Sequence, residues 1–197
     1  TDVESVLELS NAVDGPVYIR MVRGEIPRLF PAKNQTILGK ARILSLGSDI
    51  TLLTSGICTE ESLRVTDILK DRGIGVQHLH VTTLKPFDDH RVSEALAKAR
   101  YGIITMENHT SIGGLGSCVA EMIAKFGIAT KLIKVAINDT YLQGASRTFL
   151  MERYGIDVKA LLSAIESLVG EKIDISDADL TTSRLDSFFN ENQQEAL

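Results

Sequence analysis

Gly102-Ile103-Ile104-Thr105-Met106 is followed at once by Glu107-Asn108-His109-Thr110-Ser111-Ile112-Gly113-Gly114-Leu115-Gly116-Ser117, and then by Cys118 to Phe126. The first five residues carry no charge and read as a buried strand. From Gly113 to Phe126, the apolar residues Leu115, Val119, Met122, Ile123 and Phe126 fall on one helical face. A strand that turns through glycines into an amphipathic helix is the unit from which parallel sheets are built.

The same alternation extends in both directions. Upstream, Gly75 to Val81 reads as a strand, Pro86-Phe87-Asp88 as a turn, and Asp88 or Asp89 as the cap of a helix to Arg100. Before that, Thr59 to Arg72 reads as a helix capped by Thr59, with Glu60 and Glu61 in its first turn and Gly73 at its end. Ala41 to Leu44 and Ile50 to Thr54 flank Gly47-Ser48-Asp49 and suggest one antiparallel edge pair. Downstream come a strand from Thr130 to Ile137, a short helix from Ser146 to Tyr154, and a last helix capped by Asp157. That last helix places Val158, Leu161, Leu162, Ile165, Leu168 and Val169 on one stripe. The expected fold is three-layer α/β: a mostly parallel five-stranded sheet with one antiparallel edge strand and helices on both faces, over residues 40–170.

The flanks differ in texture. Val3 to Val13 reads as a helix, Asp14-Gly15-Pro16 as a turn and Val17-Tyr18-Ile19 as a strand. Residues 24–39 hold Gly24, Pro27 and Pro31 with little periodicity and read as an interdomain linker, which makes residues 1–23 the tail of a preceding domain. Residues 171–197 are polar and acidic, with only Leu180, Leu185, Phe188 and Phe189 able to pack, and read as a tail docked on a partner. The chain begins at Thr1, so it is expected to be a piece of something larger.

The 197 residues carry 21 Lys and Arg against 26 Asp and Glu, a net charge of −5, with a pI near 5.4. That balance argues against a nucleic-acid surface, which needs excess cations. No apolar run reaches the roughly 20 residues that span a bilayer, and no signal segment opens the chain. Cys58 and Cys118 cannot form a disulfide framework, which points to a reducing, cytoplasmic setting.

Four features invite a functional reading. The glycines after Met106 could present bare helix amides to a phosphate. Their spacing is neither Gly-x-Gly-x-x-Gly nor a P-loop, so tight strand–helix packing is the better account of Gly113, Gly114 and Gly116. Glu107 and His109 then form a polar contact at a domain or subunit interface. His78 and His80 share one strand face, but no third metal ligand stands at a suitable spacing. Cys118 lies one turn into a helix, where a thiol pKa can fall, yet no histidine is near in sequence and a small buried filler is the simpler reading. Arg20, Arg23 and Arg28 cluster after the Val17–Ile19 strand; they suit either a phosphate or carboxylate group or a solvated surface.

Taken together, several stretches resemble transketolase. They are Gly15-Pro16-Val17-Tyr18-Ile19-Arg20, Gly47-Ser48-Asp49-Ile50-Thr51-Leu52-Leu53-Thr54-Ser55-Gly56 and Thr83-Leu84-Lys85-Pro86-Phe87-Asp88. Glu107-Asn108-His109, Gly113 to Glu121, and Gly144-Ala145-Ser146 leading to Tyr154-Gly155-Ile156-Asp157 complete the set. The order and intervals hold over about residues 10–170 and are similar to the carboxyl-terminal part of that family, most of all to split transketolases. The resemblance implies that residues 1–23 end a pyrimidine-binding domain and that residues 40–170 form the C-terminal domain.

It also implies a two-carbon ketol transfer between sugar phosphates, using thiamine diphosphate and Mg2+ held by a companion subunit or by missing N-terminal domains. No cofactor, metal ligand or catalytic residue is then expected on this chain, which should be inactive alone and serve as a scaffold and homodimer contact. By resemblance, Arg20, with Arg23 as the alternative, matches an arginine that binds the sugar phosphate. The runner-up readings are 1-deoxyxylulose-5-phosphate synthase, the beta subunit of a 2-oxo acid dehydrogenase, a non-catalytic interaction module, or an independent small-molecule or nucleotide-binding domain.

Overall fold

A computed structural model describes residues 2–21, 26–31 and 36–182. These fall into two compact units, one within Thr1–Leu38 and one within Gly39–Ser183.

In the first unit, α1 spans Asp2–Ser10. Ser5 of α1 is buried and its Oγ accepts from the Thr36 amide at 3.1 Å, while Thr36 Oγ1 donates to Asp2 at 2.9 Å. Val17-Tyr18-Ile19 was expected to be a strand and is not one. It has no ladder partner among the described residues, and Tyr18 is 90% exposed. Among the described residues of this unit no strand lies beside this apolar run, and strand propensity acts through such packing.

The second unit is a five-stranded sheet ordered β1-β3-β2-β4-β5, built from β1 (Arg42–Ser45), β2 (Ile50–Thr54), β3 (Val76–His80), β4 (Gly102–Thr110) and β5 (Leu132–Ile137). β3, β2, β4 and β5 run parallel, and β1 is the antiparallel edge. The mostly parallel sheet with one antiparallel edge strand is therefore as expected, with a correction to its pairing. β1 pairs with β3, not with β2. The turn at Gly47-Ser48-Asp49 does not close a hairpin but crosses the start of β3. A Cβ on Gly47 would lie 2.3 Å from the Gly75 carbonyl carbon. The Asp49 carboxylate accepts from the Gly75 amide at 2.8 Å, and the Asp49 and Ile50 amides both donate to the Gly75 carbonyl.

Helices cover both faces. On one side, α2 (Cys58–Asp71) and α6 (Val158–Val169) enclose Leu52, Val65, Leu69, Ile104, Leu161 and Ile165. On the other, α3 (His90–Lys98) and α4 (Leu115–Phe126) enclose Leu53, Leu79, Leu96, Ile103, Leu115 and Val119. Each such side chain contributes about 1.5–3 kcal/mol by leaving water. β2 is buried at all five positions, as expected of a strand covered on both faces. The first core continues past Gly170: Ile173, Ile175 and, in α7 (Asp177–Thr182), Leu180 pack on it. Leu185, Phe188 and Phe189, read from sequence as possible packing residues, lie outside the described residues.

Local signals held at most helix ends. Asp89 caps α3, Ser146 caps the short α5 (Arg147–Arg153) and Asp157 caps α6. Thr59 does not cap α2: that helix begins after Ile57, with no side-chain cap, and the Thr59 hydroxyl turns into the sheet instead. Phe126 leaves the apolar face of α4 and is 54% exposed at the helix end, with Lys125 against its ring.

Candidate functional site

β4 runs four residues beyond its expected end, and the extension aims Glu107 inward. Residues 107–109 would alternate faces in a regular strand, but the pairing with β5 slips between Met106 and Thr110. Glu107 is 2% exposed. Its Oε2 accepts from the Leu115 amide and its Oε1 from the Gly116 amide, both at 2.7 Å. A buried carboxylate thus sits on the two free amides that open α4, where the helix dipole favours a negative charge.

The glycines make that approach possible. A Cβ on Gly114 would fall 2.0 Å from Glu107 Oε2 and 2.9 Å from His109 Nδ1. On Gly116 it would meet the Lys134 stem at 2.8 Å and Thr105 Oγ1 at 3.0 Å. Gly113 has open space around it but a φ of +80°, where a side chain is strained. Close packing accounts for Gly114 and Gly116, and the positive φ for Gly113. The chain's own carboxylate occupies the two amides a phosphate would need there.

Around this cap the turn is pinned. The Gly113 amide donates to Ser117 Oγ at 2.8 Å, Thr110 Oγ1 to the Ile112 carbonyl at 2.8 Å, and Lys134 Nζ to the Ser111 carbonyl at 3.2 Å. Lys134 escaped the sequence reading; its one signal was a lone cation inside the apolar strand Leu132–Ile137. His109 is exposed, with Nδ1 3.0 Å from the Thr110 carbonyl oxygen. Glu107 and His109 therefore share the turn, but only His109 faces outward.

Arg20 is exposed, in the other unit; Arg23 lies outside the described residues. Arg28 forms an ion pair with Glu4.

The two histidines are built into the interior. His78 Nε2 lies 2.9 Å from Thr54 Oγ1, Thr54 Oγ1 lies 2.8 Å from Thr59 Oγ1, and Thr59 Oγ1 lies 2.7 Å from His80 Nδ1. Burial, with the neighbouring His80, pulls the His78 pKa down to about 3. Among the described residues no three His, Cys, Asp or Glu side chains converge as a metal site. Burial, then the Glu61 and Glu107 charges, pushes the Cys58 thiol up to about 12. Cys118 is also raised, by burial first and then by Glu121 and Glu107, so the helix start does not activate it.

A second polar cluster was missed. Glu60, nearly buried, accepts from Arg147 at 3.1 Å and from Arg64 at 3.3 Å, tying α5 to the start of α2. Arg147 stands 87 positions away in sequence, and no local pattern signals the pair.

Residues 39–161 match the family model "Transketolase, C-terminal domain". The chain belongs to the transketolase C-terminal domain family. It is 35% identical over 153 residues to "Putative transketolase C-terminal section" of Methanocaldococcus jannaschii, a match covering 77% of this chain and 47% of that protein. It is also 35% identical over 161 residues to "6-deoxy-6-sulfo-D-fructose transketolase subunit SqwH" of a Clostridium species, covering 82% of this chain and 49% of that subunit. A solved structure, "Split gene transketolase, inactive beta4 tetramer", superposes with a TM-score of 0.76 at 28% identity, over 86% of this chain and 55% of the other. This transketolase-family chain thus spans about half the length of the relatives it matches. Transketolases depend on thiamine diphosphate.

Four helix starts of the second unit are closed to the diphosphate of that coenzyme. The amides opening α3, α4, α5 and α6 donate to Asp89, Glu107, Ser146 and Asp157 of the chain itself, which leaves no ready diphosphate cradle at those four helix starts. No helix among the described residues is long and apolar enough to cross a membrane.

Proposed function

We propose that this chain is the carboxyl-terminal part of a cytoplasmic transketolase that moves a two-carbon ketol unit between sugar phosphates, as in pentose-phosphate metabolism. The coenzyme and Mg2+ are held by a companion subunit or by further domains, and the unit of residues 39–182 is a scaffold and self-association module, inactive alone. The observation that carries this reading is the Glu107 carboxylate on the opening amides of α4, in a chain of this family. The one helix start that follows the glycine-rich turn is closed from within. The "inactive beta4 tetramer" form of the similar structure supports both parts of the reading, self-association and inactivity without a companion. Arg20 and Arg23 are assigned to the substrate phosphate, and His109 with the turn around Gly113 to the interface.

Ketol transfer measured with the chain alone, with the companion alone, and with the two mixed tests this directly. Activity is expected only in the mixture. Transfer by the chain alone, supplied with thiamine diphosphate and Mg2+, overturns the scaffold role; no transfer in the mixture overturns the transketolase reading. In the active mixture, Arg20→Ala is expected to raise KM for phosphorylated sugars by about tenfold or more, the loss of one charged hydrogen bond, and to leave unphosphorylated sugars nearly unaffected. An equal effect on both removes Arg20 from phosphate binding.

A further inference from the structure

The sheet has two outer edges, and they differ. β1 has four residues and a register break between Ile43 and Ser45, which blunts it as a pairing template. β5 has six residues, Leu132-Ile133-Lys134-Val135-Ala136-Ile137, in even register with β4 from Leu132 to Val135. No strand pairs with its outer side among the described residues.

The backbone parity of β5 follows from its inner bonds. The Ile103 amide donates to the Lys131 carbonyl and the Ser111 amide to the Ile137 carbonyl. Odd-numbered residues therefore turn their amide and carbonyl groups toward β4, and Leu132, Lys134 and Ala136 turn theirs outward.

We propose that a second copy of this chain pairs along this edge, antiparallel, about a two-fold axis at Val135. The proposal rests on the self-association put forward above and names its surface. A two-fold contact places each residue opposite its mirror position on the same strand. With the axis at Lys134, two ammonium groups oppose one another, which is destabilising. With the axis at Ile133, Lys131 faces Val135 and no charge finds a partner. With the axis at Val135, Lys134 faces Ala136, Ile133 faces Ile137, and Lys131 faces Asp139 of the other copy, twice over. Lys131 and Asp139 are both exposed. Among the described residues the Lys131 ammonium reaches the Ser167 carbonyl and hydroxyl oxygens, at 3.5 and 3.4 Å. The two sheets then join into one continuous sheet through Leu132, Lys134 and Ala136.

Sedimentation equilibrium of the full 197-residue chain tests this. The unmodified chain is expected to self-associate. Lys131→Asp and Asp139→Lys are each expected to weaken association by about tenfold, since two attractive pairs become two repulsive ones, and the double reversal is expected to recover it to within about threefold. Ala136→Pro removes an outward amide and none of the β4 bonds, a placement edge strands tolerate. With unchanged circular dichroism, it is expected to weaken association by about tenfold or more. Association unchanged in all four variants overturns the β5 edge and leaves self-association standing through another surface. Single reversals that weaken association without recovery in the double overturn the Lys131–Asp139 register. A chain that stays monomeric overturns both the edge and the self-association reading.

Discussion

His78, Thr54, Thr59 and His80 form a chain of three hydrogen bonds with almost no exposure. Each threonine hydroxyl has one proton to give. His78 Nδ1 has no hydrogen-bond partner among the described residues. An orphaned acceptor is tolerated better than an orphaned donor. The chain therefore runs from His78 Nε2–H through both hydroxyls to the lone pair of His80 Nδ1. Protonating His78 would place an unpaired charge in the core. The unfolded chain takes up that proton below pH 6.5, whereas the folded one holds out to about 3. In between, the unfolded state binds more protons, so stability falls as pH falls. Urea unfolding is expected to show a loss of about 2 kcal/mol from His78 between pH 6.5 and 5, and a flatter profile in His78→Asn. An unchanged midpoint across that window would remove the argument. The sequence showed that the two histidines share a face. It did not show their partners, because Thr54 and Thr59 lie 24 and 21 positions away and carry no local mark.

α4 was legible as an element because its apolar spacing is a local signal. The reason for Gly114 was not legible, since the atom it makes room for belongs to β4. Substitution separates the two kinds of glycine. Gly114→Ala places a Cβ 2.0 Å from Glu107 Oε2 and must displace the carboxylate from both amides. Two charge-assisted bonds are then lost or strained, at a cost of about 3 kcal/mol or more in chemical denaturation. Gly144→Ala meets nothing within 4 Å and is expected to stay within about 0.5 kcal/mol of the parent. Similar losses at both positions would mean that the Glu107 cap contributes little. α2 shows the opposite case: Thr59 looked like a cap by residue type, but the buried histidine and threonine hydroxyl claimed it.

At the scale of the molecule, the layered sheet could be read from alternation, because each strand and helix carries its own period. Strand order could not. Gly47-Ser48-Asp49 has the composition of a hairpin turn, and only Val76–His80, more than 20 residues later, reveals what separates β1 from β2. The extended stretch Val17–Ile19 failed for the complementary reason: its residue types suit a strand, and no sheet for it to join stands among the described residues of its unit. The separation of β1 from β2 also constrains assembly in time. As the polypeptide leaves the ribosome, residues 42–45 emerge first among the five strands of this sheet, yet their ladder partner β3 is made more than thirty residues later. The oldest strand must wait at the rim until β3 arrives, and Asp49 and Gly47, stacked over Gly75, mark where the late arrival slots in.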